Sequence, residues 1–281
     1  MGLLGAVIAA AATAGLESAA AKLPKENRAP FERTNHRGET VTLLEGPVAV
    51  LGALVGVSAS RNLTGAVGRG RKSTAGRVKA AALLAGAVSG AVGAYDDLAG
   101  ATETKGFRGH LSALRRGEVT SGAIKILGVG AAGLAAAALL PRRSKGFGAA
   151  VEIVADGALI AGTANLTNLM DLRPGRALKA VTALSAPVAL ASGPAAAVVG
   201  AAAAAAPSDL GERSMLGDCG ANGLGAITGT ALASALPRPL KMLALGAVVA
   251  LNLASEKVSF TKVIANTPVL DKIDQWGRRP R

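Results

Sequence analysis

The sequence predicts an all-α membrane protein, a polytopic transmembrane helical bundle of about nine spans. Half of the 281 residues are hydrophobic and only 2% are aromatic, so Ala, Leu, Val and Ile supply most of the apolar content. The 37 glycines add small residues that let helices approach closely in lipid. An Ala-rich soluble protein is the alternative, but the apolar runs approach the roughly 20 residues that cross a hydrocarbon core.

Nine apolar segments follow one another along residues 1–254, the predicted transmembrane domain. The first resembles a signal peptide but lacks a basic start, so we interpret it as a span. Ser192, Gly193 and Pro194 predict the turn between the sixth and seventh. The segments are 2–21, 46–60, 78–95, 122–140, 148–168, 177–192, 194–206, 220–236 and 239–254. The tail 255–281 is predicted to be a cytoplasmic interfacial segment.

If every segment crosses the bilayer, the polar loops alternate between the two faces. Loops 22–45, 96–121, 169–176 and 207–219 then share one face with the tail. This face carries more Lys and Arg than the other, so the positive-inside rule makes it cytoplasmic and places the N-terminus outside. We therefore expect a multi-pass plasma-membrane protein with cytoplasmic catalytic loops, in which close Gly and Ala faces would permit a homodimer.

The net charge of +13 does not indicate a nucleic-acid partner. Lys and Arg lie in short loops between apolar runs, without aromatic side chains on which bases could stack. Membrane lipid headgroups and phosphorylated substrates fit this distribution better. With only two histidines and one cysteine, the chain has neither a His-rich zinc site nor an intrachain disulfide.

Two adjacent carboxylates, Asp96 and Asp97, close the third apolar segment. Charges at a membrane boundary are costly and are often functional. A carboxylate pair also offers the oxygen ligands that Mg²⁺ prefers. The alternative is a solvated helix end that marks the interface.

A second polar group ends the fifth segment, where Asn165, Asn168 and Asp171 recur at intervals of three residues. On a helix, this spacing places them on one face. Such a stripe can hold a metal, a sugar or a uracil edge, or it can join helices through hydrogen bonds.

The third group, Gly217 and Asp218 before the eighth segment, combines a carboxylate with a flexible backbone. Glycine permits close approach of a phosphate or a metal. The backbone amides that open the following helix could bind an anion.

Basic residues follow the Asp pair in loop 96–121. Lys105 and Arg108 would either hold substrate phosphates or contact lipid headgroups. Thr120 or Ser121 is predicted to cap the fourth segment.

These motifs together resemble the polyprenyl-phosphate N-acetylhexosamine-1-phosphate transferase superfamily. The resemblance extends from about residue 35 to about residue 254. It rests on GAYDD with the following KGFRGH, then NLTNLMD, then LGDCGANGLG, in the order in which the family has them.

The resemblance implies Mg²⁺-dependent transfer of a sugar 1-phosphate from a UDP-sugar to a polyprenyl phosphate, with release of UMP. It assigns catalytic roles to Asp96, Asp97 and Asp171, with Asp218 and Asp171 as metal ligands. Asn168, Lys105, Arg108, Arg173 and Arg176 are the implied substrate-binding residues.

The sequence departs from the family pattern in two ways. Pro174 stands where the central motif commonly has a second Asp, and no histidine follows His110. Arg173, Arg176 and Lys179 could replace a metal-assisted phosphate contact. Two alternatives stay open: a catalytically degenerate relative that binds lipid-linked precursors, and a membrane transporter, for which Glu152 and Asp156 in the fifth segment are the hint.

Overall fold

A computed structural model describes residues 2–279 except 36, 61–68, 100–111, 113, 114, 119 and 143. The chain is 79% helical, which confirms the predicted helical class. The helices described are α1 (Gly2–Ala20), α2 (Lys25–Arg28), α3 (Glu45–Ala59), α4 (Arg69–Ala99), α5 (Ser121–Leu139), α6 (Phe147–Met170), α7 (Arg176–Ser185), α8 (Gly193–Leu210), α9 (Gly217–Ala235), α10 (Arg238–Ser255), α11 (Phe260–Asn266) and α12 (Pro268–Gln275). Two short antiparallel strands, β1 (Glu32–Thr34) and β2 (Thr40–Thr42), form a hairpin between α2 and α3.

Five of the described helices are long and apolar enough to cross a membrane. They are α1, α4 from Thr74 to Ala99, α5, α6 and α10. Helix α3 is apolar but has only 15 residues, which corresponds to about 22 Å of a core of about 30 Å. By length and composition, these helices indicate a membrane protein.

Helix α9 lies at the centre of the bundle, where it packs against α3, α4, α6, α7 and α8. Its residues from Cys219 to Ala233 are all buried. Small side chains make this packing close: a Cβ on Gly225 would lie 2.7 Å from the Cα of Ala164, and a Cβ on Gly229 would lie 2.7 Å from the Cα of Ile160. Packing of small residues therefore positions the N-terminus of α9.

The sixth apolar segment, 177–192, does not form one continuous helix. It contains the ten-residue α7 and a 3₁₀ turn, Ala186–Val188. Pro187 has no amide hydrogen with which to continue the α-helical hydrogen bonds. Ten helical residues span only about 15 Å, half of a hydrocarbon core.

Other helix ends also differ from the predicted boundaries, because polar residues continue the helices. Asp96 and Asp97 lie within the last turn of α4, and Asp209 lies within α8. The predicted cap is confirmed at Thr120, whose hydroxyl accepts the amide of Ala123 at 3.1 Å. Ser192 likewise caps α8 and confirms the predicted turn before it.

Polar segments that are distant in sequence meet at one end of the bundle. The amide of Met215 donates to the carbonyl of Thr42 at 3.0 Å, and the Arg279 guanidinium lies 2.9 Å from the Glu39 carboxylate. We call this the acidic end; it comprises residues 31–45, 93–97, 121–125, 171–176, 208–219 and 256–279. These are the loops and the tail that alternation assigned to a single face.

The opposite end gathers the remaining turns. Lys79 donates to the carbonyl of Ser58 at 2.7 Å, and Arg77 donates to the carbonyl of Leu139 at 2.8 Å. Lys241, at the start of α10, forms a 2.6 Å ion pair with Asp156. These charged side chains thus lie at the end of the bundle opposite to the acidic end.

Replacement of Gly93 by Ala is expected to destabilise the bundle by about 1–3 kcal/mol. A Cβ there would overlap the carbonyl of Asp218 and lie 2.8 Å from the amide nitrogen of Cys219. Thermal unfolding of the purified protein in detergent would measure the effect. Gly15→Ala in α1 is the matched control, because nothing lies within 4 Å of a Cβ at that position. Equal melting temperatures for the two variants would contradict this account of the α4–α9 contact.

Candidate functional site

Asp97 joins α4 to the N-terminus of α9. Its two carboxylate oxygens accept hydrogen bonds from the backbone amides of Asp218 and Cys219, at 3.0 and 2.9 Å. These amides belong to the first turn of a helix, where they lack intrahelical partners and favour an anion. The sequence predicted that these amides could bind an anion, and the anion they hold here is a side chain of the same protein.

Gly217 makes this contact possible. Its φ of 60° is in the left-handed region, which turns the chain into α9. A Cβ on Gly217 would lie 3.0 Å from an oxygen of Asp97. Arg33 on β1 donates to the main-chain carbonyl of Asp97, so the hairpin also packs onto the end of α4.

Lys125 bridges the other two carboxylates. Its ammonium nitrogen lies 2.6 Å from Asp96 and 2.7 Å from Asp218. The three side chains come from α4, α5 and α9, and each is 13–25% exposed. Burial raises the pKa of Asp218 to about 7, and the neighbouring carboxylate of Asp96 adds to the increase. Lys125 lowers the pKa of Asp218 and supplies the positive charge that Asp96 and Asp218 require.

Asp171 lies directly after α6 at the same end, but it is deeply buried. Burial raises its pKa well above the usual range, and the carboxylates of Asp209 and Asp218 raise it further. Asp209 is also buried, and its pKa is raised to about 6 by that burial. Asp171 therefore belongs to an inner acidic layer, behind the pair that Lys125 bridges.

The predicted substrate-binding residues do not all lie together. Lys105 and Arg108 fall outside the described residues. The side-chain amide of Asn165 donates a hydrogen bond to the side-chain oxygen of Asn252 on α10 at 2.6 Å. Asn165 therefore joins two helices, which was the alternative to a ligand-binding role. Asn168 is partly exposed one turn before Asp171. Arg173 lines a cavity beside the C-terminal tail.

Arg176 is hydrogen-bonded to the C-terminal tail. Its guanidinium makes two bonds to the carboxylate of Asp274, at 2.7 and 3.0 Å, and a third to the hydroxyl of Thr261 at 3.1 Å. The residue is only 6% exposed. A bidentate Arg–carboxylate pair is strong, so Arg176 acts first as an anchor for the tail.

The donors at the acidic end can be compared with the needs of Mg²⁺. Among the described residues, no three His, Cys, Asp or Glu side chains gather as a metal site would require. Two carboxylates, those of Asp96 and Asp218, converge on one positive charge, the Lys125 ammonium. Mg²⁺ is commonly held by one or two carboxylates with substrate phosphates and water. Asp96 and Asp218 could supply two such carboxylates, and in this structure both are paired with Lys125.

The sequence patterns did not point to several residues that contribute to the acidic end. Lys125 falls four residues into an apolar segment, and a charge at that depth is itself a signal of function or pairing. Glu45, which bonds to Ser214, opens α3 and was passed over as a segment boundary. Nothing in the sequence pattern singled out Asp274, because its partner Arg176 is 98 residues away.

Comparisons with protein families, with curated proteins and with solved structures find no match for this chain.

Replacing Lys125 by Met should leave Asp96 and Asp218 without their shared cation. We expect a loss of about 2 kcal/mol in unfolding free energy, since removing one partner of a largely buried pair leaves an uncompensated charge. Chemical unfolding in detergent would measure this loss. Adding Asp218→Asn to Lys125→Met should recover part of it. If the two substitutions have purely additive effects, the bridge does not contribute as described.

Proposed function

We propose that this chain transfers a sugar 1-phosphate from a UDP-sugar to a polyprenyl phosphate and releases UMP, as a step in cell-envelope glycan synthesis. The observation that carries the proposal is the contact of Asp96, Asp97, Lys125 and Asp218 at one end of the bundle. Three of these residues belong to the motifs GAYDD and LGDCGANGLG, on which the family resemblance rests.

The location of the cluster supports a reaction between a lipid and a water-soluble donor. Asp96 lies in the last turn of a candidate span, and Lys125 is the fifth residue of another. A polyprenyl tail could lie among the apolar helices while its phosphate reaches this level. In the proposed topology the nine segments alternate in direction through the bundle, the N-terminus is outside, and the acidic end faces the cytoplasm, where UDP-sugars would enter.

The transfer joins two anions, so the site must neutralise charge and align the attacking oxygen. An oxygen of the polyprenyl phosphate attacks the phosphorus that carries the sugar. The bond from that phosphorus to the bridging oxygen breaks, and UMP leaves with the electron pair. A lipid phosphate is already largely ionised near neutral pH, so the step does not require a strong general base.

The residues of this chain would divide these tasks. The ammonium of Lys125, freed from its carboxylates when substrate binds, would contact a phosphate oxygen. Asp97 would act as a positioning residue, because both of its oxygens already hold the amides of α9. Arg176 is held by Asp274 and Arg173 lines the cavity beside the tail, so neither is assigned a contact with the donor diphosphate.

Asp96 and Asp218 would hold Mg²⁺, with Asp171 behind them. When bound, the ion would supply positive charge that stabilises the leaving diphosphate oxygen. The pKa of Asp171 and that of Asp218 are both raised, so a metal ion would compete with protons for both carboxylates.

A second candidate function is binding of a lipid-linked precursor without catalysis. The observation that favours it is the bridge itself, since Lys125 already neutralises the two carboxylates that would hold the metal. Pro174, in place of a second central Asp, agrees with this candidate.

The transporter alternative has lost the observation that motivated it. Asp156 is paired with Lys241 at the opposite end, and Glu152 accepts a hydrogen bond from Ser144 at 2.6 Å. Both carboxylates thus have partners: Lys241 lies near the start of α10, and Ser144 lies in the turn just before α6.

Asp218→Asn is expected to lower UMP release by about a hundredfold or more, because it removes a charged ligand at the diphosphate. Asp97→Asn should also abolish release, since it weakens the hold on α9. Glu118→Gln is the control, as Glu118 is exposed and pairs only with Arg116 among the described residues. Membrane insertion and melting temperature are compared in parallel. Wild-type release by both Asp variants would remove the proposed site.

A screen of several UDP-sugars should identify one that yields UMP with undecaprenyl phosphate and Mg²⁺. Chelation of the metal should stop the reaction, and its restoration should recover it. Binding of undecaprenyl phosphate is measured on the same preparation. Saturable lipid binding with no UMP from any UDP-sugar would instead support the non-catalytic candidate.

A further inference from the structure

A cavity of about 360 Å³ lies between loop 171–176 and the C-terminal tail. We call it the tail pocket; its wall includes Arg37, Arg173, Arg176, Thr261, Asp274 and Arg278. None of the residues that Lys125 bridges contributes to it. The pocket is therefore separate from the proposed transfer site, although Asp171 is only two residues before Arg173.

The wall of the tail pocket has more positive than negative groups. Asp274 is shared by Arg176, at 2.7 and 3.0 Å, and by Arg278, at 3.0 Å. Arg37 is paired with Glu212 at 2.9 Å. Within the described part of the chain, Arg173 forms no ion pair. Asp271 is a second carboxylate of the wall, so four guanidinium groups and two carboxylates line the pocket.

Arg278 supplies an independent sign that an acceptor is missing. Its side chain is 6% exposed, and its Nε is buried without a hydrogen-bond partner among the described residues. A buried donor on a charged group that lacks an acceptor is costly. Arg278 also lines the tail pocket, so an anion there would lie beside this incompletely satisfied guanidinium.

We propose that the tail pocket binds a phosphate-bearing anion, with Arg173 on one wall and Arg278 on the other. Guanidinium groups match phosphate oxygens with pairs of parallel hydrogen bonds. The volume suits a phosphate or diphosphate group with a small attached moiety. This inference does not depend on the transferase activity, because its residues lie outside the acid cluster.

Two kinds of molecule could supply the phosphate group that binds in the tail pocket. One is a soluble phosphate compound from the aqueous side. The other is an anionic phospholipid headgroup, since Val269, Ile273 and Trp276 on the tail are exposed and could lie in the interface. In both cases the ligand would connect loop 171–176 to the tail through Arg173 and Arg278.

The first experiment titrates inorganic pyrophosphate into the full-length protein in neutral phosphatidylcholine nanodiscs, without divalent metal, with detection by calorimetry. Arg173→Gln is expected to weaken binding about tenfold or more, as one charge-assisted contact is lost. Arg278→Gln should do the same, although it also removes a bond to Asp274. Arg279→Gln is the matched control, because Arg279 pairs with Glu39 outside the pocket. Asp218→Asn should bind pyrophosphate as the wild type does.

The second arm repeats the comparison in nanodiscs with and without phosphatidic acid, with hydrogen exchange of residues 256–279 as the readout. If phosphatidic acid slows hydrogen exchange of the tail in the wild type but not in Arg173→Gln, the ligand is the lipid headgroup. Pyrophosphate binding lost in Arg173→Gln would identify the soluble source. The proposal is overturned if neither ligand gives a saturable effect, or if Arg173→Gln behaves as the wild type in both arms. UMP release, measured separately, does not enter either outcome.

Discussion

Compensation of negative charge at the end of an apolar bundle is the constraint on which this structure depends. Four aspartates meet where α4, α5, α6 and α9 end or begin, and uncompensated carboxylates there would repel one another. Lys125 compensates two of them, and the first amides of α9 compensate a third. The fourth, Asp171, is accommodated with a raised pKa. The same contacts that hold three helices in register therefore assemble the candidate site.

Small residues make this arrangement geometrically accessible. The carboxylate of Asp97 reaches the amides of α9 only because Gly93 and Gly217 leave room for α4 and α9 to approach. In lipid, helices gain little from excluding water, so close contact between backbones contributes much of their association. The low aromatic content and the abundance of Gly and Ala are thus connected with the chemistry at the acidic end.

Much of the architecture could be predicted from the sequence because it depends on local patterns. Apolar segments, the cap at Thr120 and the turn at Ser192 follow from composition and position alone. Alternation of spans also places Asp97 and Asp218 at the same end, where they now meet. The partners of these residues could not be predicted, since Lys125 sits inside an apolar run and Asp274 lies in a tail without a motif. Arg176 shows the limit most clearly, because its bidentate partner depends on tertiary folding and not on spacing.

The ion pair between Arg176 and Asp274 has a practical consequence for handling this protein. It joins residues 98 positions apart and holds the last described helix against loop 171–176. An affinity tag or fluorescent fusion joined after the tail would start from the acidic end, where Arg279 pairs with Glu39. A fusion at the amino terminus would instead extend from the opposite end, where Gly2 packs near Ala189 and Ala196. Expression vectors for enzymology should therefore carry their fusions on the amino-terminal side.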